Sequence, residues 1–294
     1  MKARNTTIKD IAKALGVSAS TVSRALKDHP DIAPETKRQV NELAKTLKYK
    51  PNPVALSLKN QRSNTIAVLI PEIVHHFFSS VISGIESIAE KHGYRVMISQ
   101  SSESYEKEKL MCEVFENSFI EGLLVSISKE TVDSSHLVSI SDSGIPIVFF
   151  DRVMDNMYVD RVVMDDFAGA YEATKHLIEQ GCSKIIHFAG PANRLISRNR
   201  IRGFKTALEE KGVSYSEEYI IECDNYNKAL EKTQWLIDQK IPFDGIFGVN
   251  DLTAIGAINI LKKNGIRIPN DVAVVGFGND SISELFDPPL TSVR

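Results

Sequence analysis

The chain has 294 residues, 43% of them hydrophobic and 25% charged, with a net charge of −3. That length points to two or three compact units, and that balance belongs to an ordinary globular protein rather than a disordered or fibrous one. No apolar run approaches the ~20 residues that span a bilayer, the start has no continuous apolar leader, and Cys112, Cys182 and Cys223 are scattered without a CxxC pair. No membrane contact, secretion or cysteine-based metal or redox centre is expected, and a reducing cytoplasm fits.

In chain order, the first feature is a segregation of charge. Residues 1–62 carry thirteen Lys and Arg against five Asp and Glu, a net of +8, while the remaining 232 carry twenty-two against thirty-three, a net of −11. Basic side chains on phosphates release counterions and supply most non-specific nucleic-acid affinity, which makes the head the candidate DNA reader. Thr7-Ile8-Lys9-Asp10 has the form of a capping box opening a helix, with Ile8, Ile11, Ala12 and Leu15 on one face and Gly16 as its stop. Ser18 is placed to cap a second helix over Ala19–Leu26, and Pro34 opens a third that runs through Val40, Leu43, Ala44 and Leu47. Helix, tight glycine turn, helix is the arrangement that lays its second helix in the major groove.

The segment TIKDIAKALGVSASTVSRAL, followed by YKPNPVALSLK, resembles the head of the lactose/galactose-repressor (LacI/GalR) family of transcription factors. The resemblance implies that Ala19 and Ser20 lead the recognition helix into the groove and that Arg24 reaches a base edge. Independently of any family, a planar guanidinium pairs bidentately with guanine O6 and N7. Thr21, Ser23 and Asn5 suit phosphates, which position a module without specifying sequence; Thr7, Ser18, Asn52 and Lys59 complete the expected DNA-binding set. Pro51-Asn52-Pro53 ends the three-helix unit. The stretch from Pro53 to Leu58 resembles the family's hinge helix, in which Leu58 matches a residue that wedges between base steps. Paired hinges imply a homodimer on a pseudo-palindromic stretch of double-stranded DNA. The family's serine cap on the third helix is Ala33 here, so that helix start is expected to fray, at a cost of about 1 kcal/mol.

From Thr65 onward, apolar runs alternate with helical patterns. Strands are predicted at Thr65–Pro71, Tyr94–Ser99, Gly122–Ile127, Pro146–Asp151, Arg161–Met164, Lys184–Ala189, Gly245–Val249 and Val272–Phe277. Helices are predicted at Phe78–His92, Tyr105–Asn117, Phe167–Gln180, Arg200–Lys211, Lys228–Gln239 and Asp251–Asn264. Repeated βαβ units mean doubly wound parallel sheets, here enough for two lobes of the periplasmic-binding-protein type. The expected organisation is a helix-turn-helix domain at 1–50, a hinge at 51–62 and a two-lobed effector-binding and dimerisation domain at 63–294. Lobe 1 takes about 63–163 with 289–294, and lobe 2 about 164–288. The motif PPLTSVR at 288–294 matches the family, whose members continue beyond it, so lobe 1 is expected to expose an apolar face.

Ligands in open α/β sheets bind outside the carboxyl ends of strands. The polar pairs there are Asp151-Arg152, Asp165-Asp166, Asn250-Asp251 and Asn279-Asp280. A strand-end Asp is also a common helix cap, a reading that applies to Asp166 and Asp251. The VND…AIGA stretch resembles a family motif whose Asp hydrogen-bonds the effector, which implies that role for Asp251. GPANRLISRNRIRGF resembles the segment whose Arg crosses the cleft, implying Arg200. Asp151 and Phe78 match further cleft positions, and Phe77 and Tyr226 are further candidates; an aromatic face suits a sugar's apolar side, and Phe77 and Phe78 equally suit the core. His75-His76 stand where relatives have Asn-Pro, and read as a solvated turn. No P-loop, GxSxG or HExxH is present and GFGND supplies only GxG, so neither catalysis nor a cofactor is expected. The function implied is a regulator, a repressor, whose operator affinity follows a small-molecule effector, a sugar or sugar derivative. The alternative is a solute-binding protein without a DNA role.

Overall fold

The computed structural model describes residues 6–49 and 62–294, which fall into two compact units divided after Asn64. Asn5, Asn52, Leu58 and Lys59 lie outside the described residues.

The first unit is built from α1 (Ile8–Leu15), α2 (Ala19–Ala25) and α3 (Pro34–Thr46). Ile11, Val22, Ala25, Val40 and Ala44 form its buried core, drawn from all three helices. The Asp10 carboxylate accepts the Thr7 N–H at 2.8 Å, tying down an end that would otherwise leave donors unpaired. Gly16 closes α1 with φ +67°, the left-handed region that costs a glycine nothing. Ser18 Oγ accepts the Thr21 N–H at 3.0 Å and so fixes where α2 begins. Ala33 offers α3 no side-chain cap, but Pro34 sits in its first turn, and Lys37 ties it back to Asp28 at 2.8 Å.

The second unit holds two parallel five-stranded sheets. Lobe 1 contains β1 (Thr65–Ile70), α4 (His76–Lys91), β2 (Arg95–Gln100), α5 (Tyr105–Asn117), β3 (Leu123–Val125), α6 (Ser135–Asp142), β4 (Ile147–Phe150) and β5 (Asp160–Val162), in the order β2-β1-β3-β4-β5. Lobe 2 contains α7 (Asp166–Glu179), β6 (Ile185–Ala189), α8 (Leu195–Glu210), β7 (Ile220–Glu222), α9 (Tyr226–Asp238), β8 (Gly245–Gly248), α10 (Asp251–Lys263), β9 (Ala273–Phe277), α11 (Ser281–Leu285) and β10 (Thr291–Val293), in the order β10-β9-β8-β6-β7. Counted from its own first strand, each lobe has the same order, with its topological switch between first and third strands.

Each sheet is covered on both faces. In lobe 1, Phe78 and Ile82 of α4 pack on one face while Cys112, Phe115, Leu137 and Ile140 of α5 and α6 pack on the other. In lobe 2, α7 and α8 share one cluster, and α9 and α10 the other. Gly203 of α8 is demanded by close packing: a Cβ there would stand 2.3 Å from the Phe167 carbonyl of α7. Lobe 1 also carries an apolar groove of about 540 Å³ beside α4, lined by Ile66, Val81, Ile85, Ile88 and Leu124 among others.

One expectation of domain organisation is corrected. Thr291–Val293 pairs in parallel with β9, Thr291 opposite Val275 and Val293 opposite Phe277, so residues 289–294 belong to lobe 2 rather than lobe 1. The free edge of β9 accepts the strand, and Leu290 sinks into the lobe 2 core just before it. The elements β7, β10, α6 and α11 were not expected at all.

His187 of β6 has no exposed surface and stacks between Phe204 and Phe247, with ring centres 5.2 and 4.5 Å away. Its Nδ1 faces the Phe247 carbonyl at 3.1 Å, which calls for the tautomer protonated there, and Nε2 is buried with no partner. Burial lowers its pKa to about 4. The unfolded chain therefore takes up a proton near the ordinary value of about 6.5, while the native fold resists until about 4. Stability should fall by roughly 3 kcal/mol as pH drops through that window. Urea midpoints measured between pH 7 and 4 should show this slope for the native sequence and a smaller one for His187→Phe; equal slopes would remove His187 as the cause.

Candidate functional site

In the first unit, Ser20 and Arg24 stand exposed one turn apart on α2, while Ala19, Thr21 and Ser23 are half-buried beside them. Ser18 Oγ lies 2.7 Å from Ser20 Oγ and 2.8 Å from Thr21 Oγ1, gathering three hydroxyls at the helix start. Thr7 is exposed at the start of α1, its hydroxyl donating to Asp10 at 2.7 Å. Thr7 and Ser18 thus serve first as caps. The exposed face unites one long cation with short hydroxyls around a helix N-terminus, a surface suited to a phosphate backbone with one base-reaching arm.

In the second unit, a cleft of about 390 Å³ opens between the lobes where the carboxyl ends of both sets of strands converge. Glu72 follows β1, Asp151 and Arg152 follow β4, Gly190 and Pro191 follow β6, Val249 and Asn250 follow β8, and Gly278 and Asp280 follow β9. Parallel strands dictate this convergence, since each βα turn leaves the sheet at the same end. The volume suits a small molecule of one or two rings.

Of the expected residues, Phe77, Phe78, Asp151 and Arg200 line the cleft. Phe78 is 4% exposed and packs edge-on to Phe150, so it is core as much as lining. Asp151 sits at φ +58° and accepts from Ser126 Oγ at 3.2 Å; loss of water pushes its carboxyl upward, against the pull of Arg152 and Arg200. Arg200 does not cross the cleft. Its Nε and Nη2 each stand 2.8 Å from Asp166 Oδ1, its Nη1 donates to the Val249 carbonyl, and its guanidinium lies 3.6 Å from the Phe277 ring centre. All of these partners belong to lobe 2, because a guanidinium this deeply buried must be neutralised nearby.

Asp251 and Tyr226 do not line the cleft. Asp251 is fully buried in lobe 2, where it accepts the Asp280 N–H and the Ser292 hydroxyl, both at 2.6 Å. It clamps the turn after β9 to β10, and the helix cap beside it is Asn250, which accepts the Thr253 N–H at 2.8 Å. Tyr226 opens α9 on the surface, its hydroxyl accepting from Asn259 at 2.9 Å. Its neighbours Asp224 and Asn225 reach the cleft instead.

The residue that spans the lobes is Arg194, which sequence reasoning passed over. It precedes α8, is 9% exposed, and donates to the Thr131 carbonyl of lobe 1 at 2.8 Å and to the Lys129 carbonyl. Burial lowers its pKa, and its Nε has no partner. The receiving loop is itself fixed from below: the buried Glu108 carboxylate accepts Ser128 N–H at 2.5 Å, Thr131 Oγ1 at 2.8 Å and faces His136 Nε2 at 2.9 Å. Beside Arg194, Arg198 pairs with Asp155 at 2.8 Å and Leu195 packs on the lobe 1 core. Lys129 faces Asp224 at 3.9 Å and His76 faces Asp280 at 3.5 Å, also across the lobes. His75 pairs with Glu72 at 3.0 Å. The run GPANR held the signal: an arginine in the turn after a strand, ahead of a helix, at the cleft-facing end. Among the described residues no group of His, Cys, Asp and Glu is placed to hold a metal, and no helix is long and apolar enough to cross a membrane.

A basic head with a helix-turn-helix joined to a two-lobed ligand-binding body defines a class: DNA-binding regulators equipped with a sensor. Two family profiles match, one described as "Bacterial regulatory proteins, lacI family" over residues 7–52, the other as "Periplasmic binding proteins and sugar binding domain of LacI family" over residues 63–294. The chain belongs to the LacI family of bacterial transcriptional regulators. It is 33% identical over 292 residues to the HTH-type transcriptional repressor PurR of Aliivibrio fischeri (strain MJ11), an alignment covering 98% of this chain and 86% of that one. Among solved structures it is similar to the transcriptional regulator CelR–cellobiose complex, at 26% identity and a TM-score of 0.72, covering 98% and 87% of the two chains. It also shares the fold of the Lac repressor dimer bound to operator and the anti-inducer ONPF, with a TM-score of 0.84 at 24% identity over the same shares. It is therefore a DNA-binding transcriptional regulator.

The geometry of Asp251 yields a test. Asp251→Ala opens a cavity at a fully buried position and leaves a half-buried N–H and hydroxyl without their acceptor, and should lower unfolding stability by about 1–3 kcal/mol, read from the urea midpoint. Native stability in the variant, together with loss of ligand binding, would return Asp251 to the cleft.

Proposed function

We propose that the chain is a repressor that binds a pseudo-palindromic operator as a homodimer, and that its hold on DNA changes when an uncharged sugar or sugar derivative occupies the interlobe cleft. The observation that carries this reading is the charge pairing of the cleft. Its cations are all engaged: Arg152 with Glu103 at 2.9 Å, Lys129 with Asp224 at 3.9 Å, Arg200 with Asp166 at 2.8 Å, and Arg194 with backbone carbonyls. The carboxylates of Glu72, Glu103, Asp151, Asp224 and Asp280 face the same space. A phosphate entering here must compete with carboxylates for Arg152, Lys129 and Arg200, and Arg194 keeps only a buried Nε beyond its two carbonyl bonds, whereas hydroxyls that both donate and accept fit among bonded pairs. The half-buried ring of Phe77 offers an apolar surface to the apolar side of a sugar ring. That CelR, a relative in fold, is seen with cellobiose supports the same class.

Control follows as linkage. A ligand touching both lobes biases the angle between them, and whatever that angle does to DNA affinity, DNA must do to ligand affinity by the same factor.

Two measurements test the proposal. In a thermal-shift screen, a neutral sugar that binds should stabilise the protein by about 2.7 kcal/mol at a hundredfold excess over its Kd, while sugar phosphates give no shift; a response confined to phosphates would refute the uncharged effector. In footprints on a selected operator, Arg24→Ala should cost about 1–3 kcal/mol and relax the preference at one base position. Equal weakening on every sequence would make Arg24 a phosphate contact, and no footprint for the native protein would favour a solute binder.

A further inference from the structure

We propose that the protein reads protons as a second input, through a latch in which His76 of lobe 1 closes on Asp280 of lobe 2 as the pH falls. What the latch does to DNA rests on the link between lobe angle and operator proposed above; the latch itself does not. His76 is the first residue of α4 and sits at the rim of the cleft, between the lining residues His75 and Phe77. Its Nδ1 stands 3.5 Å from Asp280 Oδ1, across the seam between the lobes. Histidine is the side chain that takes up its proton between about pH 5 and 8, so the contact is an ion pair in mild acid and a weak polar contact above. The pairs Arg198–Asp155 and Lys129–Asp224, which also cross the seam, have cations whose charge is constant over that range.

Both halves of the latch are held from behind. The buried Asp251 accepts the Asp280 N–H at 2.6 Å and so fixes the turn that carries the lobe 2 carboxylate. In lobe 1, the Glu72 carboxylate faces His75 Nε2 at 3.0 Å and fixes the turn from which α4 starts. The charges around His76 are therefore Asp280 from the turn after β9, with Asp251 behind it, and His75 with Glu72 from its own turn. The carboxylates favour a charged imidazole, while a charged His75 and the positive end of α4 oppose it. The imidazole is 51% exposed, so solvent protons reach it directly, whereas the carboxylate is 18% exposed and less screened. Burial first, and then Asp251, push the Asp280 carboxyl above its ordinary range, so further acidification discharges it early. The sign follows: the latch is absent in mild alkali, forms as His76 gains charge, and fails again once Asp280 is protonated. Closure therefore peaks in mild acid. The input belongs to this chain in particular, since His75-His76 stand where relatives have Asn-Pro, which takes up no proton.

The experiment uses the full chain with a spin label on each lobe, at Lys109→Cys and Gln239→Cys, both exposed positions, while the native cysteines are buried. Dilution with unlabelled chain keeps only distances within one chain, and neither DNA nor ligand is present. The ratio of closed to open lobes should rise about two- to fivefold from about pH 8 to about pH 6, the return on one partly exposed ion pair. His76→Gln and Asp280→Asn should each remove that rise. His76→Lys, a cation at both pH values, should hold the closed population high throughout, which a merely structural role for the histidine does not predict. A native interlobe distance indifferent to pH overturns the latch. So does a response that survives His76→Gln or Asp280→Asn, or a His76→Lys chain that behaves like His76→Gln. Operator affinity of the same proteins separates the two readings. If the lobes respond through His76 while operator binding shows no change that His76→Gln removes, the latch stands and the control of DNA by the lobe angle falls.

Discussion

A charge removed from water must be given a partner, and the interlobe cleft is organised by that requirement. Arg200 sinks into lobe 2 because Asp166 and the Val249 carbonyl receive it. Arg194 sinks between the lobes because the backbone of residues 129–131 turns two carbonyls toward it. That loop holds its shape because Glu108, with no exposed surface, gathers Ser128, Thr131 and His136 around one carboxylate. Removing one partner of such a set leaves an uncompensated buried charge, a larger loss than the pair's own net worth. The lining is thus fixed before a ligand arrives, and selectivity comes from which hydrogen-bonding capacity remains over.

The same requirement explains how the sequence could reveal the residues of the cleft and yet mislead on their direction. Residue type and strand-end position are written in the chain and point to Asp151 and the pair Asn250-Asp251, whereas Arg200 is reached through the resemblance of its segment to the family's. Which way a side chain turns is decided by where its partner lies. Asp251 turns inward because Ser292 and the Asp280 N–H lie inside lobe 2. Ser292 arrives there only through the parallel pairing of Thr291–Val293 with β9, an edge strand three residues long that no periodicity announces. One missed strand therefore carried with it both the misplaced domain boundary and the misread carboxylate. Tyr226 erred by a smaller step, as Asn225 caps α9 and leaves Tyr226 on the surface.

Elements of the inner layers were legible because burial on both faces forces continuous apolar runs on strands and long apolar stripes on helices. Tyr105–Asn117 and the inner strands of both sheets fall where the pattern places them. What escaped is short or polar: α6 reads SHLVSISD, whose buried His136 and Leu137 are masked by serines, and β7 pairs only along one side of β6. The head was legible in greater detail, since caps and glycine stops act within four residues and need no knowledge of the rest of the chain. Ala33 shows the limit of that locality: the absent cap is offset by a proline in the first turn and by the Lys37–Asp28 pair.

The contacts between the lobes set how readily the cleft responds. Each lobe has its own apolar cores, and Leu195 of α8 reaches onto the core of the other. The Arg198–Asp155, Lys129–Asp224 and His76–Asp280 pairs are partly exposed, and pairs of that kind contribute about 0–1 kcal/mol each. Arg194 is the deeper bond, yet both of its acceptors are backbone carbonyls that water could satisfy if the lobes parted. An interface of this composition does not lock one angle with the energy of a hydrophobic core. It leaves a soft coordinate on which a ligand with a few kcal/mol of differential affinity decides the population, since about 5.5 kcal/mol suffices to move an equilibrium from 1:99 to 99:1. A sensor built from two rigid sheets and a polar seam can therefore be switched by a molecule small enough to fit the cleft.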